Sequence, residues 1–536
     1  MVHLTSAKRI ADIAAEHVIE DDVRLSRSRL WDFERAYYER QGLRAWGEGE
    51  VPHAITSNPM IAAGYAELVV AFLRDCETAG LLDRAQRVHV LELGSGSGRL
   101  GYALLRHLRP LLASTSLRDQ PVTVVLSDFD GAKLEQLAAA PRFARDVADG
   151  WLDFATVDAT APGQVRTWRR NEVIADAPLV VVANYVFDSL PAEVYAVRQG
   201  AIHEVGLTIL ADVPTLDRQE PNALSRVRLE WKAAEEPAPT TGNQALDSVL
   251  ARYAELLDST MVTVPTTALS CLERLAAASA APVLALVGDK GYSHLRDLAG
   301  QGPPVLAPDA GSFSLMVNFD AIAQVVRSAG GTALLPPHQA QHLVVGAFVL
   351  GELEAPETAH RYADVLAEGG TDDIYSVRKA LAAGGDLTLH QALSRLRIDR
   401  FDVQTFLELF PTLHQLAADA GGPAKTDLAR AVYRVRESWF PIGEAADVSL
   451  CLGALLSRIG HHREALDLYA ESFEIRGPNA AASFASAVAL HALRDLDEAL
   501  KQVRDALALD PVNDAARRLA IELEAELGHH DKAVAP

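Results

Sequence analysis

The stretch that decides the fold is Val88-His-Val-Leu-Glu-Leu-Gly-Ser-Gly-Ser-Gly-Arg-Leu-Gly-Tyr102. Its first six residues are typical of a short buried parallel strand, with Glu92 near the end. Gly94, Gly96 and Gly98 follow without a gap, and leucines then recur at helical spacing. The pattern predicts a strand, a glycine turn and a helix. The free N–H groups and the positive dipole end of that helix would face a ligand.

The glycine turn is compatible with two classes of cofactor. Gly96, Gly98 and Gly101 satisfy the G-x-G-x-x-G spacing of dinucleotide-binding folds. Glu92 precedes the first glycine by two residues, and E-x-G-x-G-x-G resembles motif I of the class I S-adenosyl-L-methionine (SAM) methyltransferases. The next acid at a strand end, Asp128, lies further along the chain than the roughly 20 residues typical of NAD sites. SAM is therefore favoured over NAD, and a turn that binds no ligand is the third alternative.

The resemblance to motif I implies roles for particular residues. In that family the glycine backbone accommodates the methionine part of SAM, and the acid lies near the ammonium group. Glu92, Gly94, Gly96 and Gly98 are therefore the residues expected at that end of the cofactor.

Composition narrows the class of protein. The 536 residues are 49% hydrophobic and carry a net charge of −22, so two or three globular domains are expected and a nucleic-acid partner is not. No run of 18 or more apolar residues and no signal peptide is found, which predicts no membrane span. The three cysteines are far apart, which favours a reducing, cytoplasmic location. A cationic substrate would suit the negative charge.

Strand and helix patterns alternate after the glycine turn, which predicts a doubly wound parallel sheet. The further strands are expected at 122–128, 151–158, 179–184 and 283–289, with an antiparallel pair at 332–335 and 342–350. Four of them end in Asp128, Asp158, Asn184 and Asp289, which should meet at one rim of the sheet. Asp128 would accept from ribose hydroxyls and Asp158 from the adenine amino group. Asn184 would lie where the methyl group emerges.

The order of motifs along residues 30–355 resembles the MidA family, relatives of the mitochondrial complex I assembly-factor methyltransferase. The matching segments are Thr56-Ser-Asn-Pro59, Glu92 to Gly98, Asn184-Tyr-Val-Phe-Asp-Ser-Leu-Pro191, Gly288-Asp-Lys-Gly-Tyr292 and Val317-Asn-Phe-Asp320. The resemblance implies a SAM-dependent methyltransferase, and its best-understood branch modifies arginine on a partner protein. Tyr185 stands where the family has an acid, which leaves arginine as the target open.

Several residues could orient a substrate or take its proton. Asp188 is nominated to orient the substrate, with Asp289 and Tyr292 as neighbours. The long interruption at about 194–280 is expected to build the substrate pocket. His338 and His342 straddle a proline-rich loop without a third ligand, so no metal is expected.

The last part of the chain contains a repeat. Ala465, Ala499 and Ala533 lie 34 residues apart, and Gly460-His-His-Arg-Glu-Ala465 recurs as Gly528-His-His-Asp-Lys-Ala533. This period is that of tetratricopeptide (TPR) repeats, which stack as helix pairs. Residues 403–445 are expected to be degenerate repeats that cap the array, with a last helix at 515–527.

The predicted organisation is a class I SAM-methyltransferase (Rossmann-like) α/β domain at 1–355, a helical linker with degenerate repeats at 356–445 and an all-α TPR domain at 446–536. The leading hypothesis is a methyltransferase whose TPR surface recruits a protein or peptide substrate. That surface could instead pack internally or form a homodimer. The alternatives are a scaffold protein with a vestigial methyltransferase fold and a small-molecule N- or O-methyltransferase.

Overall fold

A computed structural model describes residues 17–47, 55–220, 223–309, 312–382 and 387–533. The chain divides into two compact units, Met1–Leu381 and Ala382–Pro536. Residues 356–381, which the sequence analysis assigned to the helical linker, are grouped with the first unit. No helix in the described ranges combines the length and the apolar character that crossing a bilayer requires.

The strands are β1 (His17–Arg24), β2 (Val88–Leu93), β3 (Val122–Asp128), β4 (Leu152–Thr156), β5 (Leu179–Asn184), β6 (Glu193–Arg198), β7 (Ala201–Ala211), β8 (Val227–Ala233), β9 (Thr260–Val264), β10 (Val283–Asp289), β11 (Gly291–Tyr292), β12 (Ala307–Asp309), β13 (Ser312–Ser314), β14 (Val317–Asn318), β15 (Thr332–Leu334) and β16 (Val344–Leu350).

The helices are α1 (Leu30–Gln41), α2 (Arg44–Gly47), α3 (Pro59–Thr78), α4 (Arg99–Ala113), α5 (Gly131–Ala138), α6 (Ala144–Ala148), α7 (Gln244–Leu256), α8 (Thr266–Ala278), α9 (Phe319–Ser328), α10 (Pro356–Tyr362), α11 (Thr371–Ala382), α12 (Leu389–Ile398), α13 (Val403–Ala417), α14 (Gly422–Ser438), α15 (Val448–Arg458), α16 (His462–Arg476), α17 (Ala480–Ala492), α18 (Leu496–Leu509) and α19 (Asp514–Ala533).

Seven of the described strands form the central sheet, in the order β15-β16-β10-β5-β2-β3-β4. The five strands β10, β5, β2, β3 and β4 are parallel, and β16 and β15 add the antiparallel pair. These strands confirm the predicted sheet. The sequence order runs β2-β3-β4 towards one edge and β5-β10 towards the other. The crevice between β2 and β5 is therefore the switch point where α/β sheets bind ligands.

The interruption after β5 forms most of a second sheet. Its strand order is β1-β7-β6-β9, and β8 also pairs with β7. The strands β6, β7, β8 and β9 all come from this interruption. β1 was not expected, because residues 1–50 carry helical patterning in the sequence. His17–Arg24 instead pairs antiparallel with the far half of β7, a partner about 190 residues away that local pattern cannot reveal.

Asn58 begins the long helix α3 that covers the central sheet. Its side-chain oxygen accepts from the backbone N–H groups of Met60 and Ile61 at 2.9 and 3.0 Å, and Pro59 occupies the first helical position. Asparagine is a preferred residue for the N-terminal cap of a helix, and proline is preferred at the first helical position. The helix then continues to Thr78.

The second unit, in its described part, is helical. α15 with α16 and α17 with α18 form packed pairs, and Gly453 admits the Tyr469 ring so closely that a Cβ atom there would lie 2.5 Å from it. α19 spans the predicted last helix and extends it. The structure thus confirms a helical C-terminal region, while its assignment to the TPR class stays a prediction.

Candidate cofactor site

A cavity of about 330 Å³ lies at the carboxyl ends of β2, β3 and β5 in the first unit. That volume is in the range of small-molecule sites. Six residues predicted to bind the cofactor line it, namely Glu92, Gly94, Gly96, Asp128, Asp158 and Asn184. Of the four strand-end residues expected to meet at one rim, Asp128, Asp158 and Asn184 line this cavity and Asp289 does not.

The glycine turn leaves β2 through left-handed backbone. Gly94, Gly96 and Gly98 have φ angles of +57°, +53° and +77°, a region that side chains enter only with strain. Ser95 and Ser127 hold the turn against β3, because the Ser95 N–H donates to the Ser127 carbonyl at 2.8 Å and the Ser127 N–H donates to Ser95 Oγ at 2.8 Å. Gly98 does not line the cavity; it is the residue that precedes α4.

Glu92 provides a buried carboxyl group in the cavity wall. Only 4% of the residue is exposed, and burial raises its pKa to about 8, although the Gly101 amide acts in the opposite direction. Within the described residues, Glu92 Oε2 has no hydrogen-bond partner. This oxygen lies against Gly101, where an added Cβ atom would be 2.6 Å away, and an ammonium group in the cavity would favour the ionised form of the carboxyl. The glycine turn and Glu92 therefore fit the methionine part of SAM.

The raised pKa of Glu92 predicts a loss of stability with rising pH. A carboxyl that titrates at about 8 when folded, against an ordinary value of 4.5, favours folding below the lower value, and this contribution is lost as the pH rises through the higher one. Relative to Glu92→Gln, the wild-type free energy of unfolding should fall between about pH 5 and about pH 9. Urea titrations across this range measure it, and parallel curves for the two proteins would contradict it.

Asp128, the predicted ribose acceptor, is engaged by a cation. It forms a buried ion pair with Lys133, whose side chain is 3% exposed. The same ammonium lies 4.9 Å from the centroid of the Trp46 ring. Trp46 itself covers the glycine turn, since a Cβ atom on Gly96 would lie 2.9 Å from the indole.

Asp158, the predicted adenine acceptor, is also paired. Arg35 on α1 donates to its Oδ2 at 2.7 Å, and Thr160 donates to its Oδ1 through both N–H and Oγ1 at 2.9 and 2.6 Å. Burial acts to raise the pKa of Asp158, but the bonds from Thr160 and Arg35 outweigh it and hold that pKa below its usual value. The carboxylate is therefore ionised at neutral pH.

Asn184 ties three segments together at the end of β5. Its Oδ1 accepts from the Tyr65 hydroxyl at 2.7 Å, and its Nδ2 donates to the Thr56 carbonyl at 2.9 Å. The amide thus holds the loop before α3 against the sheet. Asn184 lies on the cavity wall, and both polar groups of its side chain bond to other residues of the protein.

The three residues nominated for catalysis lie elsewhere. Asp289 is fully buried, and its Oδ2 accepts from the N–H groups of Phe187 and Asp188 at 3.0 and 3.3 Å. Burial, and then the charge of Asp188, raises the pKa of Asp289 well above its usual range. The structure thus brings Asp188 and Asp289 together beneath the turn after β5. These two residues and the half-buried Tyr292 are outside the cavity wall.

Other residues in the cavity wall were not singled out as cofactor-binding from the sequence. Phe129 directly follows Asp128, and Arg35 and Lys133 supply the cations described above. Tyr185, noted only as a departure from a family motif, lines the cavity with a φ of +52°. A non-glycine residue held there is typical of functional sites.

Known proteins resemble this chain in part. Residues 73–306 match the model of a family described as "Putative S-adenosyl-L-methionine-dependent methyltransferase". The family description confirms the predicted cofactor, SAM. It also agrees with the broad activity expected from the motifs. Among curated proteins, none matches the sequence significantly.

Solved structures show weaker similarity. Two crystal structures of superfamily members from Burkholderia thailandensis, one of them bound to S-adenosyl-homocysteine, are each 18% identical. Each match covers 62% of this chain and 90% of the other, with a TM-score of 0.38. MamA AMB-1 is 20% identical over 30% of this chain and 94% of its own, with a TM-score of 0.17.

Proposed function

We propose that the chain is a SAM-dependent methyltransferase that acts on a nitrogen of a protein or peptide side chain. The observation that carries this proposal is the convergence of six predicted residues, from the ends of four strands, on one cavity. Glu92 and the glycine turn would hold the methionine part, and Asp128 and Asp158 the nucleoside part. When bound, SAM supplies the electrophilic methyl group. The protein then contributes mainly positioning and the exclusion of water.

The charge at one end of the cavity supports a cationic nitrogen as the acceptor. Glu34 is 4% exposed and lines the cavity beside Tyr38. The pKa of Tyr38 is raised well above its usual value, first by burial and then by the negative charges of Glu34 and Asp188. These negative charges would attract a protonated amine or guanidinium. Such a nitrogen must lose a proton before it can accept a methyl group.

Asp188 is the residue we assign to orienting such a substrate, from behind the cavity wall and through the negative charge that it places near Tyr38. Asp289 would act through Asp188, because it holds the backbone of the same turn. Tyr185 occupies the position where the related motif has an acid, and the Lys290 ammonium lies 5.5 Å from its ring. The site therefore lacks the acid that the related motif carries at this position, and lysine or an N-terminal amine are equally compatible acceptors. We assign Tyr292 no direct role in this reaction beyond being a neighbour of Asp289 along the chain.

The helical second unit supports recruitment of a protein. Its helix pairs and the 34-residue sequence period are those expected of TPR repeats. Stacks of this kind use a concave surface to bind peptides or partner proteins. We propose that this surface binds the substrate or its carrier.

A second candidate is a scaffold protein in which the methyltransferase fold binds SAM weakly. The observation in its favour is that Lys133 and Arg35 already pair with both acids of the nucleoside end. Titration with S-adenosyl-homocysteine separates the two functions, because an enzyme that uses SAM must bind its product.

Incubation with methyl-labelled SAM and a cell lysate tests the acceptor. We expect the label to enter proteins of the lysate. The unmodified chain should transfer more label to them than a variant with charge reversals on the helical repeats. Label only in small molecules would replace the proposal by a small-molecule methyltransferase. Binding without any transfer would favour the scaffold.

A further inference from the structure

One arginine of the N-terminal helix holds the nucleoside end of the cavity. The guanidinium carbon of Arg35 on α1 lies 4.4 Å from the centroid of the Phe129 ring. Its Nη1 donates to Asp158 Oδ2 at 2.7 Å. Phe129 and Asp158 follow β3 and β4, so they lie on the rim of the central sheet. A single side chain thus joins α1 to two residues of the candidate cofactor site.

The contacts of Arg35 are those that an adenine ring would need. A guanidinium and an adenine are both flat, both stack on aromatic faces and both present N–H donors to a carboxylate. At 4.4 Å from the Phe129 ring, Arg35 leaves no space for a second flat group between them. Arg35 therefore occupies both the face of the Phe129 ring and one carboxylate oxygen of Asp158.

We propose that Arg35 closes the nucleoside end of the cavity by self-inhibition, with its side chain seated where the adenine of the cofactor must bind. This inference rests on the proposed function. Trp46 adds a contact of the same N-terminal segment at the glycine turn, where its indole covers Gly96. Cofactor binding then requires Arg35 to leave Phe129 and Asp158, so the affinity for the cofactor reports the balance between the closed and open positions of the Arg35 side chain.

The strength of the contact sets the size of the effect. The side chains of Arg35 and Asp158 are 44% and 37% exposed, and ion pairs with such exposure are weak. Removing the competition should therefore tighten binding by about two- to fivefold. A contact of this strength lets the Arg35 side chain leave readily, while the buried residues Leu30, Phe33 and Tyr37 keep α1 itself in place.

The test compares Arg35→Met with the wild type, using S-adenosyl-homocysteine as the probe in calorimetry and stopped-flow binding. We expect the variant to bind about two- to fivefold more tightly, because association is faster while dissociation is unchanged. Arg35→Ala should behave in the same way, and urea unfolding establishes that both variants are folded. The matched control is Arg40→Met on the same helix. Arg40 donates to the Arg218 carbonyl, so this substitution should leave the affinity for the probe unchanged.

Two results would overturn the inference. Equal or weaker binding by both Arg35 variants, with faster dissociation, would mean that Arg35 holds the cofactor. That result would leave the proposed function intact. If neither the wild type nor any variant binds the probe, the proposed function fails and this inference fails with it.

Discussion

Gly96→Val is expected to lower the affinity for S-adenosyl-homocysteine by on the order of 100-fold, while the chain stays folded. Gly96 has a φ of +53°, which a β-branched residue adopts only with strain. A Cβ atom there would lie 2.9 Å from the Trp46 indole, so the valine would also fill the space over the turn. Calorimetric titration measures the loss, and urea unfolding separates it from a loss of structure.

Gly163→Val is the matched control for this substitution. Gly163 lies in an open stretch where an added Cβ atom meets nothing within 4 Å. Its substitution should leave the affinity unchanged. If Gly96→Val bound the probe as tightly as the control, the glycine turn would not be part of the site.

Asp128→Ala is expected to reduce the free energy of unfolding by about 3–5 kcal/mol. The side chains of Asp128 and Lys133 are 2% and 3% exposed, so removing the carboxylate leaves a buried ammonium without its counter-charge. The double variant Asp128→Ala/Lys133→Met should recover most of the loss, because it removes both charges and keeps the apolar volume. Urea unfolding of the wild type and the variants gives the comparison.

An exposed ion pair provides the reference for that result. Glu498 and Lys501 pair on the surface of α18, with side chains 40% and 65% exposed, and Glu498→Ala should change stability little. If Asp128→Ala had the same free energy of unfolding as the wild type, the buried ion pair between Asp128 and Lys133 would not be formed. Because the single variant loses stability, the double variant is the one that reports how much Asp128 contributes to cofactor binding.

The central sheet could be predicted because its strands are continuous apolar runs that end in polar residues. Such runs are typical of parallel strands buried on both faces, and they place Glu92, Asp128 and Asn184 at one edge whatever the packing details. The glycine turn was predictable for a similar reason, since three glycines directly after a strand leave few other conformations.

The contacts within the site depend on distant pairing that the sequence does not encode locally. Arg35 and Lys133 have long side chains with many rotamers, and their partners are set by where α1 and α5 lie in the fold. Asp289 ends its strand as predicted, yet the turn at 187–189 folds over it and uses its carboxylate to hold backbone N–H groups. β1 likewise exists only through its pairing with β7.

A crystal structure of the chain with S-adenosyl-homocysteine tests the central claim most directly. We predict density in the cavity between the Gly94–Gly96 turn and Asp158, with the ligand ammonium on Glu92. Ligand density elsewhere on the chain, or an empty cavity in crystals grown at saturating ligand, would contradict it.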